Sequence, residues 1–309
     1  MKFVGVDIGG TKCAVLLGDG EGNVLKKEKF PTTTVEETLG AIMEAISHME
    51  GYSAVGISCG GPLDASRGVI LSPPNLPGWD EIHITEMIEE RFGVPAYLCN
   101  DADACALAEW QFGAGRGTRH MIFLTFGTGL GAGLILNGKL YSGASGMAGE
   151  VGHIRLAPDG PVGYGKEGSF EGFCSGGGIA RLAGRLFSEA EARGEKLPFP
   201  KEEITAKRVA EAAEEGDPLA LSVYNASAEK LGEGLSFLID IFNPERIVIG
   251  SVFQRSEELF RPAMERVIER EALAQSRSAC RIVPAMLGDS IGDIAALSVA
   301  VENYKHKGE

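Results

Sequence analysis

Apolar and polar positions fall into two similar blocks, each opening on apolar runs split by glycines. Phe3–Ile8 is apolar apart from Asp7, Cys13–Leu17 is apolar again, and Gly9-Gly10-Thr11-Lys12 lies between them. Two short runs around so tight a glycine-rich link predict a β-hairpin. Val24–Phe30 supplies a third strand. Thr34 followed by Glu37 has capping-box spacing, and Leu39, Ile42, Met43 and Ile46 share one face of the helix that follows. Ala54–Ser58 reads as a buried strand, Thr85–Phe92 as a helix stopped by Gly93, and Ala96–Cys99 as a strand ending in Asn100-Asp101. Ala102–Phe112 then reads as a helix. Ser72-Pro73-Pro74-Asn75-Leu76-Pro77-Gly78-Trp79 is too proline-rich for an element interior and is read as a loop.

The order then restarts. Met121–Phe126 is a strand, Gly127-Thr128-Gly129-Leu130-Gly131 a glycine turn, and Ala132–Leu136 a second strand. Asn137-Gly138 is a strong hairpin signal, with Lys139–Tyr141 as the strand after it. Helices are predicted over Ala206–Glu214 and Pro218–Phe242, and a strand over Arg246–Ile249 ends at Gly250. This repetition predicts a duplicated α/β fold of two lobes with a central cleft, each lobe offering one glycine turn to the same phosphate chain. The expected boundaries are 1–116 for a small lobe, joined by a C-terminal helix over 291–309, and 117–290 for a large lobe. Gly143–Gly178 is expected to be irregular and functional, being too long for an idle connection. The acidic stretch Glu189–Glu215 is expected to be a solvated face.

Composition narrows the partners. A net charge of −14 over 309 residues argues against nucleic acid or an anionic membrane. No apolar run approaches the roughly 18 residues of a membrane span. With a strand read from Phe3 and no n-region or h-region visible, no secretion signal is expected. The six cysteines form no C-x-x-C pair, so they are expected to be reduced core thiols of a cytoplasmic protein.

The first glycine turn carries candidate chemistry. Glycines let backbone N–H groups approach an anion closely, and Lys12 adds a positive charge. Asp7 interrupts a buried strand, which is costly unless something pairs with it. Phosphate-bound magnesium would serve, and a purely structural turn carboxylate is the plainer alternative. The turn is not a P-loop. Gly5 and Gly10 have the glycine spacing, but Thr11-Lys12 reverses the order of lysine and hydroxyl that a P-loop needs.

These stretches together resemble the ROK sugar kinases (repressor, open reading frame, kinase), similar in fold to actin, Hsp70 and hexokinase. The resemblance runs along essentially the whole chain. It rests on Asp7-x-Gly9-Gly10-Thr11-Lys12, Pro74-Asn75-Leu76-Pro77-x-Trp79, Asn100-Asp101-Ala102 and Gly127-Thr128-Gly129-x-Gly131. It continues through Gly149-Glu150-x-Gly152-His153, Asn243-Pro244-Glu245-x-Ile247-Val248-Ile249-Gly250 and Leu287-Gly288-Asp289. Any one of these motifs is weak, but their order and separations together are specific.

The resemblance implies an ATP- and magnesium-dependent kinase acting on a hexose hydroxyl, commonly the 6-hydroxyl of glucose, and a homodimer. Asp101 matches the catalytic base; its alternative role is a helix N-cap. Asn75, Asn100, Glu150, His153 and Glu171 match sugar contacts, since directional amide, carboxylate and imidazole groups suit hydroxyls. Gly9, Gly10, Thr11, Lys12, Gly127, Thr128 and Gly129 match phosphate contacts, with Asp7 on magnesium and Gly250 near the nucleoside. Family repressors carry a DNA-binding domain before the first strand, where this chain has only Met1 and Lys2. A non-catalytic sugar-binding regulator and another actin-like ATPase are the competing readings.

Two departures stand out. The family's zinc-binding run aligns with Val162-Gly163-Tyr164-Gly165-Lys166-Glu167-Gly168-Ser169-Phe170-Glu171, and Val162, Tyr164 and Ser169 replace its three cysteines. His153 and one nearby thiol, Cys174, are too few ligands, so no structural zinc is expected. Ser251-Val252 follows Gly250 where the family usually has another glycine, which leaves the nucleotide preference open.

Overall fold

The two apolar blocks fold as two five-stranded sheets with the same strand order. The computed structural model describes residues 1–306. The first sheet contains β1 (Lys2–Ile8), β2 (Lys12–Asp19), β3 (Val24–Pro31), β4 (Tyr52–Cys59) and β5 (Ala96–Asn100), in the order β3-β2-β1-β4-β5. The second contains β6 (Met121–Phe126), β7 (Leu130–Leu136), β8 (Lys139–Leu140), β9 (Arg246–Ile249) and β10 (Arg281–Pro284), in the order β8-β7-β6-β9-β10. In each sheet the last two strands run parallel to the first strand of the block. The expected duplication is therefore present strand for strand.

Contacts divide the chain into two units. The first comprises residues 1–117, 133–148 and those from 286 onward; the second comprises 118–132 and 149–285.

In the first unit, β1 and β4 are buried almost throughout, as strands covered on both faces must be. One face packs Val4, Val6 and Ile57 against Ile42 and Ile46 of α1 (Val35–Ser47). Thr34 caps that helix by accepting from the Glu37 N–H. Each fully buried aliphatic side chain contributes about 1.5–3 kcal/mol relative to exposure. The other face packs Phe3, Leu16 and Ala54 against Leu297, Ala300 and Val301 of the C-terminal helix Ile291–His306. That helix lies almost on the backbone: a Cβ at Gly56 would come within 2.3 Å of the Ala296 carbonyl oxygen. Residues 307–309 of the expected 291–309 helix lie outside the described residues.

In the second unit, α7 (Pro218–Phe242), which follows α6 (Ala206–Glu214), starts where Asp217 accepts from the Leu219 and Ala220 N–H groups and ends at Asn243 in a left-handed conformation. It packs on Glu257–Glu271, where Phe260 touches the rings of Phe126, Tyr224 and Phe253.

Several expectations need correction. The glycine-rich middle is not irregular to Gly178. It contains a small hairpin of Val162–Gly163 and Lys166–Glu167, a short helix α4 (Phe170–Phe173), and the start of α5 (Gly176–Ala192). Glycine composition hid α5, whose Ser175 cap accepts from the Gly178 N–H and whose Ile179, Leu182, Ala183 and Phe187 are buried. Glu189–Glu215 is not simply a solvated face, because Ala190, Phe199 and Val209 are buried. The helix expected over 102–112 begins one residue earlier, at Asp101, with Asn100 as its cap.

Candidate active site

The first unit gathers Asp7, the Gly9–Lys12 turn, Asn75, Asn100 and Asp101. Asp7 is the last polar interruption of β1, paired with Ala14 across the hairpin and with Ser58 on β4. Burial pushes its carboxyl up to about 6; Asp293 and Asp101 add to the rise, and Lys27 and Lys12 oppose it. Lys27 and Asp293 form an ion pair beside it. Among the described residues no hydrogen bond reaches the Asp7 carboxylate. A half-buried carboxylate with carboxylate neighbours and no donor suits a cation held with phosphates.

The glycine turn and the proline-rich loop fit closely together. A Cβ at Gly10 would lie 2.5 Å from the Asn75 carbonyl oxygen and 2.8 Å from its Cβ. Gly10 is therefore required by packing as well as by any ligand. Thr11, Lys12 and Asn75 are exposed. Cys13 Sγ and Thr32 Oγ1 lie 3.3 Å apart, and Thr32 donates to the Gly9 carbonyl at 2.6 Å, fixing the base of the turn.

Asn100 and Asp101 sit where β5, which follows α2 (Ile84–Phe92), passes into α3 (Asp101–Phe112). Asn100 Oδ1 accepts from the Ala102 N–H at 3.0 Å, and Asp101 Oδ1 accepts from the same N–H at 2.8 Å. The Asn100 amide nitrogen and the Asp101 Oδ2 are left for other partners. Asp101 is solvent-accessible yet has protein on most sides, and that burial raises its carboxyl above the usual value against the pull of the Ala102 N–H. An accessible carboxylate with a raised proton affinity is suited to accept a hydroxyl proton.

The second unit gathers Gly127–Gly129, Glu150, His153, Glu171 and Gly250. Glu171, in α4, accepts from the Leu130 N–H at 3.1 Å, and a Cβ at Gly129 would lie 2.8 Å from the same carboxylate oxygen. The candidate sugar residue therefore rests directly on the second glycine turn. Gly152 lies against Leu130 and Glu171, which brings the Val151–His153 turn beside them. Glu150 and His153 are exposed, and neither side chain makes a hydrogen bond among the described residues. Gly250 is buried, its N–H donating to Leu124.

Sequence reasoning missed several supports. The Gly176 N–H donates to the Gly127 carbonyl at 2.8 Å, so the N-terminus of α5 abuts the glycine turn. A cavity of about 700 Å³ opens there, lined by Thr128, Gly177, Ala206, Tyr224, Val252 and Arg255 among others. Ser175 before three glycines and a periodic apolar run could have signalled this helix start. Glu109 is fully buried and accepts from the Ala114, Met286 and Leu287 N–H groups, holding the chain just before Gly288-Asp289. Nothing local in sequence marks that role. Among the described residues no group of three His, Cys, Asp or Glu could hold a metal.

A duplicated sheet with a glycine turn after its first strand in each half, an acidic strand end and an open nucleoside-sized cavity defines the actin- and hexokinase-like class of phosphate-handling proteins. The chain matches the ROK family over residues 3–303, and it belongs to that family. It is 35% identical to a glucokinase of Streptomyces coelicolor over 97% of both chains. It is similar to the structure of a ROK family glucokinase from Streptomyces griseus in complex with glucose and AMPPNP, at 33% identity and a TM-score of 0.77 over 98% of this chain and 100% of that one. It is likewise similar to a ROK hexokinase from Thermus thermophilus, at 32% identity and a TM-score of 0.82 over 99% of this chain and 100% of that one.

Proposed function

We propose that this chain is an ATP-dependent hexose kinase that transfers the terminal phosphoryl group to a sugar hydroxyl, with the 6-hydroxyl of glucose as the first substrate to try. The carrying observation is Asp101: an accessible carboxylate of raised proton affinity at a strand end, with one oxygen unspent.

Phosphoryl transfer needs a base, donors for the phosphate charge, and a held acceptor. Asp101 takes the proton of the attacking hydroxyl. Asn75 and the Asn100 amide orient the sugar from the first unit. Glu150 and His153, whose side chains make no hydrogen bond among the described residues, and Glu171 offer further sugar contacts from the second. Backbone N–H groups of Gly10 and Gly129, the hydroxyls of Thr11 and Thr128, and the Lys12 ammonium take the phosphates, while Gly9 and Gly127 close the two turns by donating to the Lys12 and Gly129 carbonyls. The cavity beside Thr128 suits the nucleoside, and Gly250 lies two residues before Val252 of its lining. Asp7 would hold magnesium or its waters, and magnesium would neutralise the phosphate charge. The cysteine-replaced loop does not fit structural zinc, and the reaction needs none there. A cytoplasmic homodimer is the setting that the family resemblance supports; no described helix is long and apolar enough to cross a membrane.

Repressors also occur among the relatives, which keeps a sugar-binding regulator as the second reading. A coupled ADP-release assay over glucose, mannose, fructose, allose, N-acetylglucosamine and N-acetylmannosamine separates the two. Sugar-dependent ADP release is expected. Saturable sugar binding with no ADP release from any of them would favour the regulator.

A further inference from the structure

Glu171 is carried by the four-residue helix α4, too short to hold its own place. In relatives with the cysteine run, zinc would anchor this segment. Here the metal does not fit. Val162 and Tyr164 are 45% and 81% exposed, and Cys174 is fully buried with its thiol donating to the Ser227 carbonyl. Burial holds that thiol well above its usual value, away from the thiolate that binds metal.

Ser169 is different from the other two replacements: it is fully buried. Its Oγ donates to the Gly163 carbonyl at 3.4 Å and accepts from the Gly172 N–H at 3.1 Å. One hydroxyl thus ties the Val162–Glu167 hairpin to the first turn of α4. A Cβ at Gly163 would fall 2.5 Å from the Gly172 nitrogen and 2.7 Å from this Oγ, so the hairpin closes against the helix with no side chain between. The hairpin then reaches the other candidate sugar residues. Lys166 Nζ donates to the His153 carbonyl at 2.7 Å, and the Phe170 N–H donates to Ile154 at 2.7 Å.

We propose that Ser169 is a positioning residue whose hydroxyl does the work of the absent metal. It locks the hairpin onto α4 and so holds Glu171 against Leu130 and the His153 turn beside it. This rests on reading Glu171 and His153 as sugar contacts.

The test compares sugar and ATP dependence in the ADP-release assay for wild type, Ser169→Ala, Ser169→Cys and Glu171→Ala. Losing a buried cap and its second hydrogen bond should raise the sugar KM about ten-fold, with kcat within about three-fold. Ser169→Cys, close in size with a weak donor, should recover part of that loss. Chelator treatment followed by restored Mg2+ should leave the wild-type Tm and sugar KM unchanged. An unchanged sugar KM in Ser169→Ala, or a chelator loss reversed by Zn2+, would overturn the inference. If Glu171→Ala leaves the sugar KM unchanged, the sugar-site reading itself fails; if it raises KM while Ser169→Ala does not, only the inference fails. Should neither Ser169 variant fold, amide exchange of Gly172 in the wild-type protein decides: protection supports the clamp, and exchange at the rate of an open loop contradicts it.

Discussion

The two glycine turns occupy the same place in two sheets of the same order, yet their surroundings differ in charge. The Gly9–Lys12 turn sits in a field of three carboxylates, Asp7, Asp101 and Asp293, partly offset by Lys12 and Lys27. The Gly127–Gly129 turn is backed by a helix N-terminus and by the single carboxylate of Glu171. The first has the groups for proton transfer and a divalent cation. The second has neutral N–H donors, a hydroxyl and a cavity. The same backbone occurs twice, and the side chains around the two turns differ.

The packing of the turns differs as well, and this gives the largest expected effect. Gly10→Ala drives a Cβ into the Asn75 backbone and should cost about 1–3 kcal/mol of stability and at least a hundred-fold in kcat/KM. At Gly127 a Cβ meets only the Ser251 hydroxyl, at 3.9 Å, so Gly127→Ala should leave the thermal midpoint of the free protein unchanged or slightly raised. Equal destabilisation by the two substitutions would erase the distinction.

The acidic field predicts a smaller effect with a definite sign. Asp7 has a folded-state value of about 6 against an ordinary 3.8. The folded protein therefore holds this proton more tightly than the unfolded chain does. The associated stability is fully present below about pH 4 and is lost as pH rises through 6. Asp7→Asn should accordingly raise stability at pH 7.5 in the absence of Mg2+ and nucleotide, by about 1–3 kcal/mol, while abolishing most turnover. The gain should shrink toward pH 4. A destabilised Asp7→Asn protein at pH 7.5 would mean that Asp7 has a donor in the folded state.

A smaller effect still is expected in the acid limb of kcat/KM. Asp7 and Asp101 interact, so the limb belongs to the pair and should lie above the ordinary carboxylate value of 3.8. Asp293→Asn removes a neighbouring charge and should move the limb to lower pH. No movement would place Asp293 outside the field.

Much of this was legible because it is local. The glycine turns, the Asn137-Gly138 hairpin, the Thr34 cap and the strand end at Asn100-Asp101 are written in adjacent residues. The restart of the pattern at Met121 revealed the duplication. The charge balance around Asp7 was not legible, because Lys27 and Asp293 are 266 positions apart and only folding pairs them. Glu109 gave no signal either; a glutamate in an ordinary helix reads as solvated until its donors from Met286 and Leu287 are placed. At Ser169 the sequence could say which ligand was lost but not that the replacement was buried and doubly bonded.

If Asp101 is the base of a sugar phosphorylation, Asp101→Asn removes the proton acceptor and leaves the sugar contacts in place. Sugar affinity by calorimetry and ADP release should be measured on the same preparation, on the hexose the wild type turns over best. Sugar binding within a few-fold of wild type and a kcat lower by about 10²–10⁴ are expected. Near-normal kcat in a folded, sugar-binding Asp101→Asn protein would contradict that role.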